Sequence, residues 1–226
     1  MTTDNDRLAS RDDSQTAAAA ADRSGLTRAD WNRRYEAKEL IWSASANGTL
    51  VSEISGLACG RALDLAGGEG RNAVWLAEKG WQVHVVDFAD EAIEKGKRLA
   101  AKRGVTDRIT FETADLTDYR PAPEAFDLVI MMYFHIPVAD LPPIFKRAAQ
   151  ALVPSGTFLL VGHDADNLAH GYGGPQRADL LYNADFVTSA TGDILDVEKA
   201  GRIERKVDTD EGVRIAYDCL VRGRRR

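Results

Sequence analysis

Residues Arg61–Asn72 read RALDLAGGEGRN, and this stretch decides the fold. Ala62, Leu63 and Leu65 form an apolar run, Ala66, Gly67, Gly68 and Gly70 form a cluster of small residues, and a helical pattern starts at Asn72. Strand, tight turn and helix in that order are the opening of a doubly wound α/β domain. The turn needs small residues because a ligand must lie against its backbone, where a Cβ would clash or forbid the required φ > 0. A ligand site is therefore legible before any substrate is.

Downstream, helices and strands alternate. NAVWLAEKG reads as a helix stopped by Gly80, WQVHVVD as a buried strand ending at Asp87, and DEAIEKGKRLAAKRG as a helix closed by Gly104. ITFETADL is a third strand ending at Asp115, and FDLVIMMYF is a fourth, apolar enough for the middle of a parallel sheet. LPPIFKRAAQALVPSG is a helix with its prolines in the first turn, and TFLLVG is the fifth strand. Beyond it, HDADNLAHGYGGPQRADLLY lacks periodicity and exceeds the usual length of a structureless loop, roughly 12 to 15 residues, which marks it as functional. A short helix over ADFVTSA and two β segments near Ile194–Asp208 and Val213–Val221, joined by the turn DTDEG, close the chain as an antiparallel hairpin. The expected class is α/β: a doubly wound, mostly parallel, seven-stranded Rossmann-like sheet with a C-terminal antiparallel hairpin.

Residues 1–24 combine Asp, Ser, Thr and an Ala run, a composition expected to stay disordered. Order is expected from Thr27, in one domain over 25–226 that begins with a helical lid at 27–45. Trp31 and Tyr35 fall one turn apart on that lid, with Trp42 just beyond.

With 226 residues, 44% hydrophobic and 28% charged, the chain can bury one full core. A net charge of −6 argues against nucleic acid as partner, and the one basic cluster, the C-terminal RGRRR, reads as a solvated tail. Cys59 and Cys219 read as reduced core cysteines. No signal sequence and no membrane-length apolar run is visible, so a cytoplasmic protein without membrane contact is expected, as monomer or homodimer. There is no HxH, HExxH or paired-cysteine spacing, so no metal is expected.

In open α/β sheets ligands bind outside the carboxyl ends of the strands, and three acids fall there: Asp64 just before the glycine turn, Asp87 ending the second strand and Asp115 ending the third. Asp87 stands at the distance from the glycines that suits two ribose hydroxyls. Asp115 can reach the exocyclic amine of an adenine, with the backbone of Leu116 at the ring edge. Any one of these could be a mere helix N-cap; three on consecutive strands are harder to dismiss.

Together with LDLAGGEG, VVD, TADL, FDLVI and LVPSGTFLL, this order of motifs resembles the class I S-adenosylmethionine-dependent methyltransferases over roughly residues 27–223. WNRRYEAKELIW, EGRNAVWLAEKGW and GHD make it similar to a subgroup with tellurite-resistance-type and thiopurine-type small-molecule methyltransferases. The resemblance implies S-adenosylmethionine as cofactor, contacted by Asp64, Ala66, Gly67, Gly68, Gly70, Asp87, Phe88, Asp115, Leu116 and Met132. Ala66 stands where glycine is usual, which is tolerable if its φ is negative, and Gly67, where cysteine is frequent, adds freedom.

Methyl transfer from a sulfonium is an in-line displacement, and a poorly acidic nucleophile needs a base. The resemblance places His135 and His163 at the methyl-transfer site as catalytic candidates; a neighbouring carboxylate, with Asp164 next in sequence, could hold a neutral imidazole. His84, within a strand, reads as structural. Trp31, Tyr35, Trp42, Tyr133 and Asp164 are expected around a small, partly apolar methyl acceptor. Two alternatives stand: a non-catalytic S-adenosylmethionine-binding protein, and an NAD(P)-dependent oxidoreductase, since Gly68–Ala73 also satisfies GxGxxA.

Overall fold

Seven strands form one sheet in the order β3-β2-β1-β4-β5-β7-β6. The computed structural model describes residues 27–36 and 45–226. The expected disordered tail and Trp42 lie outside the described residues, as does most of the expected lid beyond its first helix.

Helices α1 (Arg28–Glu36) and α2 (Gly48–Ile54) precede β1 (Arg61–Leu65), which turns into α3 (Arg71–Glu78). Then follow β2 (Gln82–Asp87), α4 (Asp90–Lys102), β3 (Ile109–Thr113), β4 (Phe126–Met132), α5 (Leu141–Gln150) and β5 (Leu152–His163). A short α6 (Asn167–His170) and α7 (Ala184–Thr191) lead to the long hairpin of β6 (Leu195–Thr209) and β7 (Gly212–Arg225). Strands β1 to β5 are parallel, and β7 runs antiparallel to both β5 and β6. The winding reverses between β1 and β4, so the crevice at their carboxyl ends is where such sheets take ligands.

Side-chain alternation sends Ala62 of β1 to one face and Leu63 and Leu65 to the other. The first face packs under α2, α3 and α4 through Leu50, Val74, Leu76, Val85 and Ile130; the second packs under α5 and α7 through Leu63, Phe145, Phe158 and Val187. Central β4 is buried on both faces from Leu128 to Met132, whereas edge strand β6 alternates charged, exposed residues that discourage further pairing. The prolines of α5 do occupy its first turn.

Four local expectations change. Strand β3 stops at Thr113, leaving Asp115 in the following turn, where its carbonyl accepts the N–H groups of Asp118 and Tyr119. The long loop is ordered by α6 and by Asn167, whose side chain donates to the Gly173 carbonyl at 2.8 Å and accepts from the Tyr217 N–H at 2.7 Å. Helix α2 is too short for periodicity to reveal; Asn47 caps it by accepting from Thr49 and Leu50 N–H at 2.9 and 3.2 Å. Cys59 is exposed rather than in the core, its thiol on the Lys79 carbonyl at 3.0 Å, while Cys219 is buried and its thiol pushed up by desolvation.

Candidate active site

The turn after β1 has two distinct reasons for its small residues. Ala66, Gly68 and Gly70 adopt φ of 57°, 55° and 71°, the left-handed region. Gly67 does not; a Cβ there would stand 2.6 Å from Val85 Cγ1 and 3.0 Å from the Asp64 carboxylate, so close packing requires it. The expectation of a negative φ at Ala66 is therefore corrected. An alanine carries a steric cost of about 1–2 kcal/mol in that conformation, because its Cβ crowds the next carbonyl.

Asp87 ties the turn to β2. Its Oδ2 accepts the Gly68 N–H at 2.9 Å and its Oδ1 the Ala89 N–H at 3.0 Å. Burial raises its carboxyl, and those backbone donors work against the rise. Asp64 has no such help. It is fully buried, and among the described residues neither carboxylate oxygen has a hydrogen-bond partner. Burial first and the Asp87 charge second push its carboxyl up to about 8, against a weaker pull from Arg71. An orphaned buried carboxylate is costly unless a cation or donor reaches it. A ligand with positive charge lying on the glycine turn fits that vacancy in the bonding pattern, and S-adenosylmethionine carries both a sulfonium and an ammonium.

Farther along, Asp115 is exposed and holds Thr117 through its N–H and hydroxyl, both at 2.8 Å, while Leu116 is buried with its carbonyl on Arg147 at 2.8 Å. Met132 is buried at the end of β4. Helix α1 lies across α4 beside the turn: Arg28 pairs with Asp90 at 2.6 Å, and buried Lys95 donates to the Tyr35 carbonyl. Tyr35 and Trp31 cluster with Phe88, Ala89 and Ala92, and the Tyr35 hydroxyl is 3.0 Å from where a Cβ on Gly68 would be. Tyr35 thus lies over the glycine turn, whereas Tyr133 and His163 stand elsewhere, at the ends of β4 and β5.

That second centre is built from β4, β5 and the hairpin. Tyr133, at φ 59°, donates its hydroxyl to Asp218 Oδ2 at 2.7 Å. Asp218, fully buried on β7, also accepts Arg205 Nε at 2.6 Å and Nη2 at 3.3 Å. His163 Nδ1 lies 3.5 Å from Asp218 Oδ1 and is buried without a hydrogen bond among the described residues. Burial, then Arg205, keep His163 below its ordinary value against the pull of Asp218. His135 stacks on His163 with ring centroids 5.4 Å apart, yet both its nitrogens hold backbone: Nε2 accepts the His163 N–H at 3.2 Å, and Nδ1 donates to the Leu180 carbonyl at 2.9 Å. Burial lowers His135 to about 4, so it is neutral.

Asp164 is not the carboxylate beside His163. Neighbours along a strand point to opposite faces, and Asp164 turns back to accept the Asp166 N–H at 3.0 Å. Gly162 of the same GHD segment is required because a Cβ there would overlap the Tyr182 hydroxyl. Asp218 and Arg205 escaped the sequence reading, although an acid inside the apolar run AYDCLV was a visible signal. His84 is structural, bonded to Thr110 and Glu112 at 2.8 and 2.9 Å.

The family profile of a methyltransferase domain matches residues 62–156, the stretch from β1 through the start of β5. Over that stretch the chain is similar to a methyltransferase domain. Among similar proteins, it is 28% identical over 174 residues to the tRNA 5-carboxymethoxyuridine methyltransferase of Escherichia coli O157:H7, covering 71% of this chain and 65% of that protein. It is 30% identical over 107 residues to the 2-heptyl-1-hydroxyquinolin-4(1H)-one methyltransferase of Mycobacteroides abscessus, 46% of this chain and 47% of the other. The chain therefore spans less than two thirds of the length of these relatives. Its fold is shared with TehB from Haemophilus influenzae at a TM-score of 0.65 and 16% identity, over 88% of this chain and 67% of the other. The family's cofactor is S-adenosylmethionine. No helix among the described residues is long and apolar enough to cross a membrane.

Proposed function

We propose that this protein transfers a methyl group from S-adenosylmethionine to a small-molecule acceptor by in-line displacement. The observation that carries the reading is Asp64, a buried carboxylate without a partner under a glycine turn, next to the Asp87 carboxylate. Bound S-adenosylmethionine supplies an electrophilic methyl group whose bond to sulfur breaks with the electron pair passing to sulfur. The chain's part is to hold the partners in line and dry. Gly67, Gly68 and Gly70 admit the cofactor to the backbone, Asp64 faces its positive charge, Asp87 receives ribose hydroxyls, and Asp115 with Leu116 receives adenine. Phe88, Trp31 and Tyr35 close over that end. Tyr133 and His163 face the acceptor, with His163 as base and His135 as the clamp that holds the His163 backbone.

Calorimetric titration with S-adenosylmethionine, S-adenosylhomocysteine and NAD(H) tests this. Micromolar binding of the first two is expected, and binding of NAD(H) alone would sink it. A second reading, a tRNA nucleoside as acceptor, is favoured by the activity for which the E. coli relative is named, whereas the net charge of −6 favours the small molecule. Tritium from labelled cofactor entering tRNA but no metabolite fraction would decide for tRNA.

A further inference from the structure

We propose that Asp218 is a positioning residue that holds the proton of neutral His163 on Nδ1, leaving the Nε2 lone pair to deprotonate an acceptor that arrives with its proton on. This rests on the proposed methyl transfer and deepens it, because a base is required only by some acceptors.

Asp218 occupies an unusual place for a charge, fully buried in a strand flanked by Ala216, Tyr217, Cys219 and Leu220. Such a carboxylate is kept only where donors converge on it. Tyr133 and Arg205 supply three hydrogen bonds, Arg205 reaching diagonally across the β6–β7 ladder from its position opposite Ala216. The Oδ1 atom still faces His163 Nδ1 at 3.5 Å. Nδ1 is buried and otherwise unbonded, so a lone pair there would confront a carboxylate, whereas an N–H would be attracted to it. Separations in ligand-free sites commonly tighten when the acceptor binds.

The ring is held from several sides. The His163 backbone is bonded to His135, the Tyr133 ring lies 5.0 Å away, and a Cβ on Gly174 would come within 2.8 Å of the imidazole. Tyr133 keeps a left-handed backbone, a conformation costing on the order of 1–3 kcal/mol that persists where surrounding bonds over-determine it. Here they do: its N–H donates to the Val161 carbonyl at 2.7 Å and its hydroxyl to Asp218. Arg205, also near the imidazole, opposes its protonation and preserves the neutral form.

A carboxylate or thiolate nucleophile needs no base, but a hydroxyl does. The acceptor O–H breaks with its electron pair remaining on oxygen to form the bond to the methyl carbon, and the proton goes to Nε2 and then to water.

The test uses the full chain labelled with 15N-histidine, in long-range 1H–15N spectra at pH 7, with the His163 signals identified by their loss in His163→Gln. The expected result is a neutral ring protonated on Nδ1. In Asp218→Asn the proton moves to Nε2 while S-adenosylmethionine affinity is unchanged; in Tyr133→Phe, which keeps the carboxylate, it stays on Nδ1. A wild-type ring protonated on Nε2 overturns the proposal even if Asp218→Asn does not fold, and loss of the Nδ1 tautomer in Tyr133→Phe removes Asp218 as its cause. Tritiated methyl groups transferred to a small-metabolite fraction should survive mild alkali; their release as methanol would mean an ester from a carboxylate acceptor and no need for the base. Failure of the wild-type chain to bind S-adenosylmethionine would sink the methyl-transfer reading and leave the tautomer result standing.

Discussion

The Gly68 N–H donates to Asp87 Oδ2 at 2.9 Å, so the acid that ends β2 also braces the turn that follows β1. Asp87→Asn is therefore expected to act twice. It should lower stability by about 1–3 kcal/mol by weakening a buried bond to backbone, and raise the S-adenosylmethionine Kd by roughly tenfold or more, a loss of about 1.4 kcal/mol. Urea denaturation and calorimetry on the same preparation measure both. Unchanged affinity would remove Asp87 from the cofactor site.

Burial gives Asp64 and His135 opposite pH dependences in the cofactor-free protein. Asp64 is raised to about 8, so above its unfolded value the folded state binds the extra proton, and its stabilising contribution is lost as pH rises through about 8. His135 is lowered to about 4, so stability is lost as pH falls from about 6.5 toward 4. Between these limits the two slopes offset, and above about 6.5 the Asp64 slope stands alone at no more than about 1.4 kcal/mol per pH unit. Urea midpoints at pH 7, 7.5 and 8 should fall for the wild type and fall less for Asp64→Asn. Parallel curves for the two proteins would show that Asp64 is ionised throughout.

Ala66→Gly should stabilise the protein. At φ 57° the alanine Cβ is strained, and glycine relieves this at the expense of a more flexible unfolded chain, for a net gain of about 0.5–1 kcal/mol. Equilibrium unfolding reads the difference directly, and a loss of stability would mean that the methyl group's contact with the second core outweighs the strain.

Gly67→Ala should do the reverse. Its φ is ordinary, but the added carbon meets Val85 Cγ1 and the Asp64 carboxylate, and overpacking of this kind costs about 1–3 kcal/mol. Cofactor affinity should fall with it, since the same displacement moves Asp64; calorimetry with S-adenosylhomocysteine checks this.

The strand-turn-helix segment, the alternation and the closing hairpin were legible because each is local: small residues at a turn, apolar runs, and turn chemistry. Of the acids expected to end strands, Asp87 does end β2, whereas Asp115 lies in the turn after β3. What escaped depended on pairing between distant segments. Asp164 is the neighbour of His163 in sequence and Asp218 its neighbour across β5 and β7, a register no single strand encodes. Arg205 meets Asp218 only through the diagonal of the β6–β7 ladder. His135 carries the residue type of a base, but the Leu180 carbonyl and the His163 N–H that occupy it come from other segments. Helix α2 was hidden by its length alone.

The long β6–β7 hairpin divides responsibilities along the chain. Asp64, Gly68, Asp87 and Asp115 all precede residue 116, within the family profile's match to 62–156, whereas His163, Arg205 and Asp218 all follow that match. On the proposed reading, the matched segment would carry the methyl donor's site, and the part that chooses what is methylated could drift independently of it. On that proposed division, a chimera joined within β5, after residue 156, would combine one parent's donor site with the other's selectivity and keep His163 with Asp218.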